Sequence, residues 1–162
     1  MKRFLVLISL ICLLIVNGFA THERAGEIVY RHLNGLTYEV TIITYTYAPS
    51  LADRCELEIK WGDGTSSILT RNNGGPIQNC PYGGEIVAED IKMNFYTGVH
   101  TYSGNGTFRL SVEDPNRNWG IVNIPYSVNV PFYIDTELVI QPLLGYNSSV
   151  QLLNPPLDYA CI

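Results

Sequence analysis

Asp63 and His100 are the residues of this sequence most able to perform acid–base chemistry, because a positioned carboxylate or imidazole can move a proton to or from a substrate. Asp63, however, lies between Gly62 and Gly64, and Asp-Gly is a signal for a tight turn. In such a turn the aspartate side chain bonds to the nearby backbone while glycine supplies a positive φ angle. The sequence therefore predicts a structural role for Asp63 and leaves His100 as a candidate base.

Metal binding is weakly indicated. The three histidines, His22, His32 and His100, are scattered rather than clustered at the short spacings that zinc ligands adopt. The alternation of Asp114, Asn116 and Asn118 could offer calcium several oxygen ligands, but without the pattern of an EF-hand. Local Asx turns are the favoured explanation of that segment. We therefore predict no cofactor, with calcium as the alternative.

Enzymatic chemistry finds no further support. Glu56 and Glu58 share one face of a single predicted strand, and Glu113 has no identifiable partner, whereas glycoside hydrolysis needs two carboxylates facing each other across a cleft. Neither a GxSxG motif nor a phosphate-binding loop is present. The sequence therefore predicts that the protein is not an enzyme.

Exposed aromatic rings would instead provide a surface on which sugars stack. Tyr45 and Tyr47 alternate along one predicted strand, and Trp119 follows a predicted turn, so all three are candidate ligand-facing aromatics. The simpler interpretation is that such rings are buried or half-buried in a β-sandwich.

The first twenty residues have the features of a secretory signal peptide. Lys2 and Arg3 precede an apolar run, and small residues lead to a predicted cleavage site after Ala20. Removal of this segment, residues 1–20, takes the formal net charge from −5 to −7. A chain this acidic, with scattered cations, is not expected to bind nucleic acid. No other segment is apolar enough to span a membrane, so a secreted or cell-surface location is predicted.

Three cysteines remain after the predicted cleavage. Export permits disulfide formation, and Cys55 and Cys80 are the predicted pair because they bracket the Asp63 turn. Two buried thiols are the alternative. Cys161 is left over and is a candidate for a covalent bond to another chain or to a continuation of this one.

Strand-like segments position these residues. Two such runs, 27–33 and 36–47, are separated by Asn34-Gly35, which predicts a hairpin with a type I′ turn. Residues 56–61 alternate charged and apolar, and the Asp63 turn leads back into 67–70. Residues 71–84 are predicted to form a loop. Further strands are predicted within 85–96 and at 99–102, 107–113, 126–133 and 135–141.

Many short strands without a helix-period segment indicate an all-β fold. A two-layer antiparallel β-sandwich is expected over residues 21–142, followed by a linker-like tail at 143–162.

The order of three motifs resembles that of the PKD domain, a small extracellular β-sandwich related to the immunoglobulin fold. The motifs are Trp61-Gly62-Asp63-Gly64-Thr65, His100-Thr101-Tyr102 and Gly106-Thr107-Phe108. The resemblance implies that His100 lies on a strand beside the turn that contains Asp63, packed or hydrogen-bonded. His100 and Tyr102 are thereby expected to be structural, together with residues 61–65.

A wider pattern is similar to the N-terminal region of large exported Bacteroidetes proteins that contain PKD domains and are associated with gliding motility. Its segments include Gly26-Glu27-Ile28, Glu113-Asp114-Pro115, Asn123-Ile124-Pro125 and Leu153-Asn154-Pro155-Pro156. The resemblance implies a non-catalytic adhesion or spacer module within a larger surface protein, with other surface proteins or polysaccharide as partners. A carbohydrate-binding accessory module of a secreted polysaccharide-degrading system is the alternative.

Overall fold

The computed structural model describes residues 23–50, 52–115, 117–141, 143 and 145–150. The predicted signal peptide, most of the predicted tail and three of the candidate residues, namely His22, Asn116 and Cys161, lie outside these residues.

Two antiparallel sheets of four strands each form the fold, which confirms the predicted β-sandwich. The first sheet has the order β1-β2-β6-β5 and the second β4-β3-β7-β8. The strands are β1 Glu23–Asn34, β2 Thr37–Tyr47, β3 Glu56–Lys60, β4 Ser66–Thr70, β5 Glu85–Ala88, β6 Ile91–Thr101, β7 Gly106–Asp114 and β8 Phe132–Ile140.

The core lies between the two sheets and follows from period-two alternation along the strands. In β3, Leu57 and Ile59 point inward while Glu56, Glu58 and Lys60 face solvent. The same alternation gives an apolar cluster with members from both sheets, including Val40, Ile42, Trp61, Tyr96, Leu110 and Leu138. Burial of these side chains is the main force that joins the sheets.

The first hairpin forms as predicted, but its turn differs from the expected one. Asn34 ends β1 and pairs with Thr37, so the connection consists of Gly35 and Leu36. Only Gly35, at φ +50°, has a positive φ angle in this turn. The prediction of a type I′ turn centred on Asn34-Gly35 was therefore wrong, because a register irregularity between His32 and Asn34 shifts the turn by one residue.

The segment before the last strand also departs from expectation. Residues 126–131 do not form a strand; Ser127–Asn129 is a short 3-10 helix, and Tyr126 before it is left-handed at φ 53°. β8 begins at Phe132, directly after Pro131. A proline has no backbone N–H to contribute to a ladder, which explains why pairing starts beyond it.

The predicted Cys55–Cys80 disulfide is confirmed, with the two Cα atoms 5.5 Å apart. It ties the segment before β3 to the loop at 71–84, as the bracketing of the hairpin predicted. Among the described residues no helix is long and apolar enough to cross a membrane.

Candidate functional site

The turn between β3 and β4 is organised around the Asp63 carboxylate. Trp61 N–H donates to Thr65 O at 3.0 Å and closes the turn. One Asp63 oxygen, Oδ1, accepts from the Thr65 backbone N–H at 3.0 Å and from the Thr65 hydroxyl at 2.6 Å. The side chain thus holds the backbone that follows it, which is the arrangement of an Asx turn.

The second Asp63 oxygen reaches across to the other sheet. His100, on β6, places its Nε2 2.8 Å from Asp63 Oδ2. The imidazole stacks on the Trp61 ring, with centroids 4.7 Å apart and planes 6° from parallel. Tyr102 meets the imidazole edge-on at 4.7 Å, and its hydroxyl donates to Trp61 O at 3.1 Å. We call Trp61, Asp63, Thr65, His100 and Tyr102 the turn cluster.

Both glycines of the turn are left-handed, but only one is crowded. Gly62, at φ +83°, lies so close to β7 that a Cβ atom would meet the backbone N of Arg109 at 2.6 Å. Gly64, at φ +90°, has nothing within 4 Å of such an atom. Gly62 therefore serves both the turn and the approach of β7, and Gly64 serves the turn alone.

The electrostatics of the turn cluster favour an ionised carboxylate. The hydrogen bond from the Thr65 side chain lowers the pKa of Asp63 most, burial opposes it, and the bond to His100 adds to it, so that the pKa falls to about 2. Burial likewise raises the pKa of the Tyr102 hydroxyl above its usual value. The cluster at neutral pH is a fixed carboxylate beside an imidazole and a neutral phenol.

An imidazole beside a carboxylate is two-thirds of a catalytic triad, but the surroundings of His100 do not complete one. The Asp63 partner is bonded at Nε2, Trp61 covers one ring face, and Tyr102 abuts the ring. The Ser67 hydroxyl, on β4, accepts a bond from Trp61 Nε1 at 2.9 Å. Among the described contacts none joins His100 to a nucleophile. The contact of His100 with Asp63 joins the two sheets.

The candidate calcium ligands and the remaining glutamates lie apart from one another and make separate contacts. Asp114 is buried, with Oδ2 2.7 Å from Arg54 Nε. Asn118 uses its backbone carbonyl to accept from the Ser127 hydroxyl at 2.7 Å. In the described part of the chain no three His, Cys, Asp or Glu side chains are grouped to hold a metal. Glu56 and Glu58 face solvent along β3, and Glu113 approaches Lys60 at 4.0 Å.

The candidate aromatics do not form an open row. Tyr45 is buried, although it lies on the face of β2 away from the core cluster. Tyr47 is 36% exposed, with the Arg24 guanidinium 5.0 Å from the centre of its ring. Trp119 is 76% exposed, on the loop between β7 and β8. Of the three, Trp119 has the most accessible ring.

A buried ionic cluster was not anticipated from the sequence. Arg71, whose side chain is fully buried, makes a two-pronged contact to Asp53 at 2.7 and 2.9 Å and donates to Asn94 at 2.8 Å. Lys92 adds a second cation 2.8 Å from Asp53. Arg71 also donates to Tyr82 O at 2.9 Å, which attaches the 71–84 loop to the cluster.

Burial alone raises the pKa of Asp53, but hydrogen bonds from Arg71 and Lys92 outweigh it and hold the pKa below its usual value. The Asp53 carboxylate is therefore favoured in its ionised form. The available signal was Lys92 and Asn94, which alternate with apolar neighbours ahead of the buried Tyr96, so that polar groups occupy inward positions of β6. Inward polar residues need partners, which the sequence alone does not identify.

Comparison of the chain with protein-family models, with curated proteins and with solved structures returned no match.

Proposed function

We propose that this protein is a non-catalytic, exported adhesion or spacer module of a cell-surface protein. The observation that carries the proposal is the path of the chain, because the first strand begins at one end of the sandwich and the last strand finishes at the opposite end. The body of the sandwich therefore separates the start of β1 from the end of β8 by the length of its strands.

The strand registers define the two ends. Glu23, at the start of β1, pairs with Thr46 and bridges to Arg117 in the loop after β7. Ile140, at the end of β8, pairs with Gly106, the first residue of β7. β7 runs from that residue to Asp114, so the start of β1 and the end of β8 are separated by the length of the strands. The chain then turns back along β1, where Tyr146 stacks on His32 and Ser149 bonds to Tyr30. The twelve residues of β1 span roughly 36 Å.

Two further features support an exported, non-enzymatic role. The Cys55–Cys80 disulfide is compatible with an oxidising, extracellular compartment. The histidine–carboxylate pair joins the two sheets. Asp63 bonds to Thr65 and to His100, and His100 also stacks on Trp61. The resemblance to PKD domains points in the same direction.

Surface accessibility is the test. Antibodies against the folded domain should label intact cells of the producing organism, and a blot of the reduced surface fraction should show a band far heavier than the 18.1 kDa of this chain. Labelling only after lysis would overturn the surface assignment. A band near the mass of this chain in the culture medium would overturn the role as a spacer within a larger protein.

Carbohydrate binding is the second candidate function. It is favoured by the loop between β7 and β8, where Trp119 and Tyr126 are 76% and 84% exposed. The two rings line the same surface cavity, of about 300 Å³. Exposed aromatic rings beside a hollow are suited to stacking on the apolar face of a sugar.

A further inference from the structure

A cavity of about 340 Å³ lies at the end of the sandwich opposite Trp119, where the β1–β2 turn meets the chain that leaves β8. Its apolar lining comes from Leu36, Tyr38 and Ile140. The cavity is also lined by two residues with amide side chains, Asn105 and Gln141, by Tyr146, and by Gly35 and Gly145. The volume is within the range of small-molecule sites.

The wall that carries Tyr146 is held in place by contacts along β1. The Tyr146 ring stacks on His32, with centroids 3.8 Å apart and planes 13° from parallel. Three residues further on, Ser149 N–H donates to Tyr30 O at 2.9 Å, and the Ser149 hydroxyl accepts from Tyr30 N–H at 2.7 Å. The ring is thereby oriented before any ligand arrives, which reduces the entropy lost on binding.

One face of Tyr146 remains available. His32 covers the other face, yet the residue is 77% exposed and borders the cavity. Space beside the ring is left open by Gly35 and Gly145, since a Cβ atom on either would meet nothing within 4 Å. An aromatic ring fixed behind an open, partly apolar hollow is a stacking platform.

The chemistry of the lining selects the class of ligand. All the described residues that line the cavity are uncharged, so none of them offers an ion pair to an anion or a cation. Asn105 and Gln141 each carry both hydrogen-bond donors and an acceptor, which suits hydroxyl groups that donate and accept. Within the described part of the chain, neither amide side chain forms a hydrogen bond to another protein group. A rigid ring with an apolar face and hydroxyl groups at its edge could stack on Tyr146 with that face and form hydrogen bonds to the two amides with those hydroxyl groups.

We propose that this cavity binds a neutral sugar residue, stacked on Tyr146 and hydrogen-bonded at its edge by Asn105 and Gln141. The proposal rests on the second candidate function, carbohydrate binding, and is independent of the spacer role. It places the site at the opposite end from Trp119 and on residues that the aromatic pattern of the sequence did not single out.

The test uses the chain without its predicted signal peptide and a panel of uncharged oligosaccharides of glucose, xylose and mannose, with a sulfated polysaccharide as the charged probe. Titration calorimetry should detect binding of at least one neutral oligosaccharide. Tyr146→Ala should weaken it at least tenfold, because it removes the stacking face, and Tyr146→Phe should retain it. Trp119→Ala is the matched control, an equally exposed ring at the other end, and should leave the affinity unchanged.

Asn105→Ala and Gln141→Ala provide a second readout should Tyr146→Ala disturb the fold, since both residues are exposed; each should weaken binding severalfold. Loss of binding in Trp119→Ala with full binding in Tyr146→Ala would overturn the proposal and leave carbohydrate binding at the other end. Failure of every neutral oligosaccharide to bind would overturn both, with the spacer role untouched. Preference for the sulfated probe would contradict the uncharged site.

Discussion

Individual side chains of the turn cluster connect the two sheets through one carboxylate. Asp63 satisfies its own turn with one oxygen and reaches His100 with the other, so a single residue stabilises both local and tertiary structure. Hydrogen bonds to a charged group contribute more than bonds between neutral groups. The role of this carboxylate can be measured through its titration.

We expect Asp63→Ala to lower the free energy of unfolding at pH 7 by about 1–2 kcal/mol, through loss of the bonds to Thr65 and His100. The folded-state pKa of about 2 lies below the unfolded value of about 3.9. The contribution is therefore complete above about pH 4 and is lost as the pH falls towards 2. Urea denaturation across this range should give a shallower pH dependence for the variant.

Asp135→Ala is the control, because Asp135 forms only an exposed ion pair with Arg109 at 3.4 Å. It should change stability by less than about 1 kcal/mol. Equal losses for the two variants would contradict the assigned role of Asp63.

Substitution of the two glycines of the turn distinguishes the cost of a left-handed backbone from the cost of a steric clash. Gly64→Ala should cost about 1–2 kcal/mol, because alanine resists the left-handed region. Gly62→Ala should cost at least about 1 kcal/mol more, since its Cβ would also strike the Arg109 backbone. Thermal denaturation of both variants measures the difference. Similar melting temperatures would mean that β7 moves away at little cost.

At the scale of elements, the 71–84 loop is attached to the sheets at two points, one ionic and one covalent. Arg71 binds it to Asp53 and β6, and the disulfide binds it to the start of β3. A loop of this length, rich in glycine and asparagine, has a high conformational entropy when free. The two attachments offset that entropy. We therefore expect removal of either one to lower the free energy of unfolding.

Arg71→Ala should destabilise the fold by about 3–5 kcal/mol, because it removes the buried hydrogen bonds to Asp53 and Asn94 and leaves Asp53 paired with Lys92 alone. Arg31→Ala removes a comparable two-pronged contact, to Glu39, on the surface. That control should cost less than about 1 kcal/mol. Chemical denaturation distinguishes them, and a small loss for Arg71→Ala would show that the loop is held by other contacts.

Removal of the disulfide should cost about 3.5 kcal/mol in the chain-entropy model, given the separation of 25 residues between its cysteines. Replacement of Cys55 and Cys80 by alanine, or reduction of the native protein, should each produce this loss in a denaturant titration. The double variant itself should not respond to reductant. A response would indicate that another cysteine contributes to stability.

At the scale of the whole molecule, the proposed spacer role depends on how the fold carries tension. Force applied at Glu23 and Gln141 acts at opposite ends, along β1 and β8, and loads many β1–β2 pairs at once. Force applied at Asn34 and Gln141 acts at one end and pulls the β1–β2 hairpin away from β8. We expect single-molecule pulling to give a markedly higher unfolding force in the first geometry. Equal forces would argue against a load-bearing role.

Local signals accounted for much of the fold. The alternation of residues 56–61, the Asp-Gly turn and the cysteines bracketing it predicted a strand, a hairpin and a disulfide that the structure contains. The turn after Asn34 and the strand expected at 126–133 were wrong. In both, a local preference was overridden, by a register shift in one case and by a left-handed Tyr126 before a 3-10 helix in the other.

The candidate sites divide in the same way. A tight turn depends on residues that are adjacent in the sequence, so the role of Asp63 within its own turn could be predicted. Its approach to His100, 37 residues away, was expected only through the resemblance to PKD domains. The Arg71 cluster draws on three separate segments and was missed, since no local pattern states which buried cation meets which carboxylate.

The sequence by itself determined the all-β character, the turn at Asp63 and the cysteine pair, because backbone sterics and near-neighbour patterns fix these features within a few residues. Tertiary structure alone decided which aromatic rings are buried and which are exposed. It also decided that Arg71 meets Asp53 and that Tyr146 stands against His32 beside a cavity. Those outcomes depend on strand order and register, which bring distant segments together and which only the packing of the two sheets settles.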